Sequence, residues 1–300
     1  SFSFSSIVES PALARAPSRP ILPAPEMASP ARPLEVVSIS SGKGGTGKSV
    51  LASNLGVILA ASARVTILDA DLGLGNIHIL YNLMPRFNAS HVISGEKRLD
   101  EVFIRGPRGV NVIPGGSGIP ELASLNAPML GVLADGMSTL DRLADFLIID
   151  TPGGIDRQSL LFLLASDQVL VVTTDDITAM TDAYAVIKTI FSRRPGASAV
   201  LVVNQARTEA DGLETYHKVA HVTRKFLARD LSLGGIIPLD ESVERSVARR
   251  VPVVLSHPES PAARAMTSIA ARLGTPGAGP ARPRQPFAAR LMGLLSAPAY

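Results

Sequence analysis

Residues Ser41–Val50 read S-G-K-G-G-T-G-K-S-V, and no other stretch restricts the fold of the chain so strongly. Gly42, Gly47, Lys48 and Ser49 satisfy the spacing G-x-x-x-x-G-K-[ST]. Glycines there let successive backbone N–H groups turn inward, forming a concave anion site that Cβ atoms would obstruct. Such a loop needs a strand before it and a helix after it, so that the anion rests on a helix N-terminus. Both flanks comply. Glu35–Ser40 is a short β-branched run, and Leu51, Leu55, Ile58 and Leu59 recur at helical spacing. The anion is then a nucleotide phosphate, cradled by Gly42, Lys43, Gly44, Gly45, Thr46, Gly47, Lys48 and Ser49. Lys48 reaches the β- and γ-phosphates, and the Ser49 hydroxyl is a Mg²⁺ ligand. Lys43 is a second cation inside the loop, and its natural target is a phosphate of its own or of a facing subunit.

From Glu35 onward, apolar runs of strand length alternate with helical periodicity. Strands are expected at Glu35–Ser40, Arg64–Leu68, Gly109–Ile113, Phe146–Ile149, Gln168–Thr173, Ala199–Val203 and Leu233–Ile237. Helices are expected at Lys48–Ala60, Met129–Leu143, Thr178–Phe191, Leu213–Ala228, Glu241–Arg249 and Pro261–Leu273. Most of the strands are unbroken apolar runs, the pattern of strands covered on both faces. The expected fold is α/β: a single doubly wound, mainly parallel sheet with helices on both faces, as in a P-loop NTPase. An apolar fraction of 46% over 300 residues is ample for its core.

Two further strands end in acids. Arg64–Leu68 runs into Asp69-Ala70-Asp71, and Phe146–Ile149 into Asp150-Thr151-Pro152-Gly153-Gly154. Parallel strands share their carboxyl edge, so these acids converge on the phosphate loop. Asp69 and Asp150 are candidate Mg²⁺ ligands beside Ser49, directly or through water. Asp71, followed by Gly73 and Gly75, is the candidate for orienting an attacking water, making Lys43, Lys48 and Asp71 the catalytic set. Strand Ala199–Val203 continues into Asn204-Gln205-Ala206-Arg207. A guanine site of the N-K-x-D kind wants Lys and Asp where Gln205 and Arg207 stand. Asn204 still offers amide hydrogen bonds to an adenine edge, so ATP is favoured over GTP.

These residues together resemble the MinD/ParA ATPase family with its deviant Walker A loop. The extra Lys43, D-A-D-L-G-L-G-N at Asp69–Asn76 and D-T-P-G-G at Asp150–Gly154 carry the likeness. Within the family, Asn88–Phe103, Gly109–Gly118, Val171–Lys188 and Val202–Ala206 look most like the flagellar-number regulators. The resemblance implies an ATP-dependent sandwich homodimer in which Lys43 contacts phosphate across the interface. It also implies that Asn204 and the loop at Pro238 flank adenine, and that ATP/ADP and Mg²⁺ are the cofactors. A flagellar GTPase or a basal-body protein is the partner it suggests, although residues 1–34 hold nothing like the short motif that stimulates such a GTPase. ParA-type DNA partitioning and MinD-type division-site placement are the alternatives. Iron–sulfur relatives need cysteines, and the chain has none; tyrosine kinases of this loop type carry a tyrosine-rich tail.

Residues 1–34, rich in Ser, Pro, Ala and Arg, read as a disordered segment ahead of the nucleotide domain at 35–274. Met27 is a candidate start. Residues 275–286 read as a Gly/Pro-rich linker and 287–300 as a short amphipathic segment. There Phe287, Leu291, Leu294 and Leu295 form one helical face with Met292 beside it, and Arg282, Arg284 and Arg290 add charge. That face suits anionic lipid through residues 287–295, placing the protein peripherally at the inner face of the cell membrane. It equally suits the protein's own core, and disorder is a third reading. No apolar run reaches transmembrane length, and the absence of cysteine accords with a reducing cytoplasm. Twenty-nine Lys plus Arg against 26 Asp plus Glu is too even to argue for nucleic acid. Arg245, Arg249 and Arg250 read as a solvated face, so sequence-specific nucleic-acid binding is not expected.

Overall fold

A computed structural model describes residues 33–71, 75–116, 127–273 and 285–296. The expectations for most of residues 1–34, for Gly73 and for most of the 275–286 linker lie outside the described residues. Eight strands form one sheet: β1 (Glu35–Ser40), β2 (Val65–Asp69), β3 (Ile104–Arg105), β4 (Asn111–Ile113), β5 (Phe146–Asp150), β6 (Gln168–Thr173), β7 (Ala199–Ala206) and β8 (Ser232–Pro238). Their order is β3-β4-β2-β5-β1-β6-β7-β8. Every pairing is parallel except β3 with β4.

The first six helices are α1 (Lys48–Leu59), α2 (Ile77–Leu80), α3 (Ala89–Ile93), α4 (Ala127–Gly136), α5 (Leu140–Leu143) and α6 (Arg157–Ala165). The remaining six are α7 (Ile177–Arg193), α8 (Glu209–Leu227), α9 (Glu241–Ala248), α10 (Val253–Ser256), α11 (Pro261–Leu273) and α12 (Phe287–Ser296). The period-2 alternation of the strands distributes their side chains to two cores. Val37, Ile39, Leu170 and Val172 join Leu51, Leu55, Met266 and Ile269 on the α1/α11 face. On the other face Val36, Leu68 and Ile149 meet Leu133, Met137 and Phe162, while Val169, Val171 and Leu201 meet Val186 and Ile190.

Several boundaries move for local reasons. The helix expected over Met129–Leu143 is interrupted: α4 stops at Gly136, a single 3₁₀ turn follows at Met137–Thr139, and α5 completes the run. Gly136 is a poor helix former, and the Thr139 hydroxyl donates to its carbonyl at 3.0 Å, competing with the helical ladder. α8 begins four residues early because the Thr208 side chain accepts from Asp211 N–H. α6 was not expected at all, although Asp156 caps it by accepting from Ser159 N–H at 2.9 Å. β4 is shorter than expected because Pro107–Gly109 turn into it with Arg108 and Gly109 at positive φ.

The apolar face of the tail meets the protein's own core. Phe287 and Leu291 are fully buried in the α4/α6 cluster, and Leu294 and Leu295 pack against its margin. Arg290, expected to face lipid, pairs with Asp167 at 2.7 Å and 3.2 Å. Asp167 in turn accepts from the Val36 N–H that opens β1, so the tail is tied to the centre of the sheet. Among the described residues no helix is long and apolar enough to cross a membrane.

Candidate nucleotide site

The loop expected to hold phosphate joins β1 to α1, as its flanks require, with Gly45 at φ 82° and Gly47 at φ 90°. Neighbours press on it from three sides. A Cβ at Gly42 would overlap Asp182 of α7, and one at Gly47 would overlap the Asn204 amide. A Cβ at Gly153 would lie 2.8 Å from Gly44 N, and Gly154 N–H donates to Ser41 O at 3.0 Å. The D-T-P-G-G turn is thereby seated directly on the loop. Gly44 and Gly45 are exposed with nothing crowding them, leaving the mouth of the cradle open.

Lys48 is buried, and burial lowers its pKa while Asp150 and Asp71 pull it back up. The ammonium and both acids expected beside it therefore share one electrostatic site. Asp150 is fully buried and its pKa is pushed up to about 6, first by burial. The Ser49 hydroxyl and Lys48 oppose that rise, and Asp71 adds to it. Asp69 lies beside Asp150 in register across β2 and β5. Its pKa is raised well above the ordinary value by burial and then by the Asp150 charge.

One Asp69 oxygen accepts at 2.9 Å from the N–H of Ile77, the first residue of α2. The other oxygen is buried without a hydrogen-bond partner, as is Asp150 Oδ1. Orphaned carboxylate oxygens beside a hydroxyl are the donor set a hard divalent cation uses, so Ser49, Asp150 and Asp69 fit Mg²⁺. Among the described residues no cluster of three acidic or histidine side chains could hold an ion alone. That suits an ion delivered together with phosphate oxygens.

Asn204 has a partner in the phosphate loop itself. It lies on β7 rather than after it, and its amide donates to Thr46 O at 2.8 Å. One of its donors is thus committed to bracing the loop. Gln205, next along, is held at φ 56°. The structure sets Pro238 opposite Ala206 in the β7–β8 register, two residues from Asn204, so the two residues expected to flank adenine are neighbours. Leu239 beside them is 60% exposed.

Other site residues escaped the sequence reading. Gly115 packs so closely under the Asp71 carbonyl that a Cβ would lie 2.5 Å from it, and Gln158 donates to Ala70 O at 3.3 Å. Both brace the start of the Asp71 loop. Lys43 bonds Asp176 and Thr178 at the start of α7. Neighbouring motifs named these stretches, but the contacts span 44 to 135 residues of sequence and carry no local signal.

Comparisons with known proteins bear on the family and on the kind of ligand it binds. The model of the CobQ/CobB/MinD/ParA nucleotide binding domain matches residues 37–253. The antiactivator FleN of Pseudomonas aeruginosa is 35% identical over 243 residues, covering 80% of this chain and 86% of that protein. The flagellum site-determining protein YlxH of Helicobacter pylori is 34% identical, over 71% of this chain and 73% of its own. The septum site-determining protein MinD of Pyrococcus horikoshii, solved with Mg-ADP, superposes with a TM-score of 0.69 at 24% identity. That match covers 81% of this chain and 96% of that one. The family is one of nucleotide-binding domains and the MinD structure holds Mg-ADP, so this chain is an ATP hydrolase that uses ATP/ADP and Mg²⁺. The chain belongs to the MinD/ParA family of nucleotide-binding ATPases.

Proposed function

We propose that this chain is an ATP-driven switch: monomeric without nucleotide, a sandwich dimer with ATP and Mg²⁺, and a regulator of flagellar number or placement. One observation carries the dimer: Lys43 Nζ bonds Asp176 and Thr178 at the start of α7, and its side chain is partly exposed. An ammonium with those partners at the open side of the loop is within reach of solvent and so of phosphate on a facing subunit. In this reading Lys48 and Lys43 bind the phosphates, Ser49 and Asp150 hold Mg²⁺ with Asp69 behind them, and Asp71 orients the attacking water. Asn204 and Pro238 flank adenine. When bound, Mg²⁺ neutralises developing phosphate charge.

The flagellar role rests on the resemblance to flagellar-number regulators and on the name of YlxH, a flagellum site-determining protein 34% identical over 73% of its own length. A flagellar GTPase or basal-body protein is the partner this role calls for. Residence at the inner membrane face through residues 287–295 requires α12 to leave α4 and α6, since its apolar side is buried there. The basic cluster gives DNA partitioning little help: Arg245 pairs with Glu241, and Arg250 reaches Asn82.

Light scattering of Asp71→Ala, with ATP and with ADP, tests the switch. The variant should bind ATP, fail to turn it over and dimerise in ATP alone, whereas Lys48→Ala should bind no nucleotide. An Asp71→Ala chain that stays monomeric in saturating ATP refutes the dimer.

A further inference from the structure

Ala70, between the two acids at the end of β2, is held at both of its backbone groups by one neighbouring segment. Its N–H donates to Asp150 O at 2.9 Å, and its carbonyl accepts from Gln158 Nε2 at 3.3 Å. Gln158 stands in the first turn of α6. Asp156 fixes the start of that helix, accepting from Ser159 N–H at 2.9 Å and from the Ser159 hydroxyl at 2.6 Å. The turn between Asp150 and α6 is itself seated on the phosphate loop, with Gly154 N–H on Ser41 O. A path of direct contacts therefore runs from the loop, through that turn and α6, to the backbone that presents Asp71. Gly115 closes the far side, since a Cβ there would lie 2.5 Å from Asp71 O and 3.0 Å from Asp69 O.

Packing does not account for an amide at this place. Gln158 is buried, its bond to Ala70 is long, and its Oε1 has no hydrogen-bond partner. A buried acceptor left unmade is a cost that methionine, of nearly the same length, would not carry. What the amide supplies is a donor on the carbonyl directly before Asp71. We propose that Gln158 is a positioning residue for hydrolysis: by holding Ala70 it fixes the aim of the Asp71 carboxylate and ties that acid to the turn seated on the phosphate loop. This role rests on the reading above in which Asp71 orients the attacking water. Gln158 acts through Asp71 and not on the nucleotide, so its effect belongs to turnover rather than to binding. Lys48 and Asp150 both feel the Asp71 charge, which places the acid where a small shift of its backbone matters to the reacting water. A neutral hydrogen bond of this kind is worth a factor of about two to ten.

Kinetics of Mg-ATP turnover by the full chain provide the test. Gln158→Met is compared with the unsubstituted chain at equal protein concentration, with affinity for a fluorescent ADP analogue as the control for folding. The expected result is a kcat lower by about two- to tenfold with KM and ADP affinity unchanged, since the phosphates keep Lys48. The same substitution in the Asp71→Ala background should leave the slow residual turnover of that variant where it was, because an acid that is gone cannot be misaimed. A purely structural effect of Gln158 on α6 would slow both backgrounds alike. Gln158→Leu repeats the measurements should Gln158→Met lose ADP binding. An unchanged kcat, or an equal loss in both backgrounds, overturns the positioning role alone. An Asp71→Ala chain that turns over ATP as fast as the unsubstituted chain removes the reading of Asp71, and the role of Gln158 with it.

Discussion

Truncating Leu291 to alanine separates the two destinations that the amphipathic tail allows. A ten-residue helix is too short to hold itself in water, so α12 exists because its apolar face is docked. Leu291 is 0% and Phe287 1% exposed, both in the cluster that contains Leu133, Met137 and Phe162. Fully burying side chains of this kind is worth about 1.5–3 kcal/mol each. Removing the Leu291 isobutyl group also leaves a cavity against α4 and α6, giving an expected loss of about 2–5 kcal/mol. In a chain of this size a loss near 3 kcal/mol lowers the melting temperature by roughly 6–12 °C. The chain contains no tryptophan, so denaturant unfolding is best followed by far-UV circular dichroism of the full-length protein. A helix reserved for lipid would instead leave stability untouched and lose vesicle binding on truncation. A shift in stability below about 0.5 kcal/mol, with an unchanged denaturant slope, refutes the docked reading.

Two further outcomes follow from the site. Asn204→Ala removes a buried donor from Thr46 O and should lower ATP affinity by about tenfold through a looser loop, within the roughly 1–3 kcal/mol cost of an orphaned buried acceptor; unchanged affinity in a calorimetric titration would show that the loop needs no such brace. The buried acids set a pH dependence. Asp150 titrates at about 6 in the folded chain against an ordinary 3.8, and a raised acid contributes stability below the unfolded value that is lost as pH climbs through the folded one. Nucleotide-free stability relative to Asp150→Asn should therefore fall by up to about 3 kcal/mol between about pH 4 and about pH 6. A relative stability that rises across that window contradicts the burial argument.

How much of this was legible depended on whether the cause was local. β1, the phosphate loop and α1 are specified within 25 consecutive residues, and β1 and β6 match their expected limits. β5 and β2 end in acids because a strand buried on both faces stops where charge begins, which is written in the chain. α2 and α3 were missed because helices of four and five residues form only where packing and caps hold them. Ile77 N–H sits on Asp69, and Asn88 caps α3 through Ser90 N–H. α6 does carry a local signal, the Asp156 cap followed by the apolar run Leu160–Ala165.

The candidate site divides along the same line. Which side chains bear the chemistry follows from the motif, whereas which neighbours hold them follows from the fold. Lys43 announces itself at its own position, but its partner is 133 residues away at the N-cap of α7. The residue type of Asn204 advertises a hydrogen-bonding amide, yet its commitment to Thr46 depends on β7 running beside the loop. The tail is the clearest case. Its periodicity states that one face must leave water, and only the groove between α4 and α6 decides what that face leaves water for. Gly42 makes the same point at the loop itself: the motif fixes a glycine there, but that a Cβ would overlap Asp182 of α7 follows only from where the fold sets that helix.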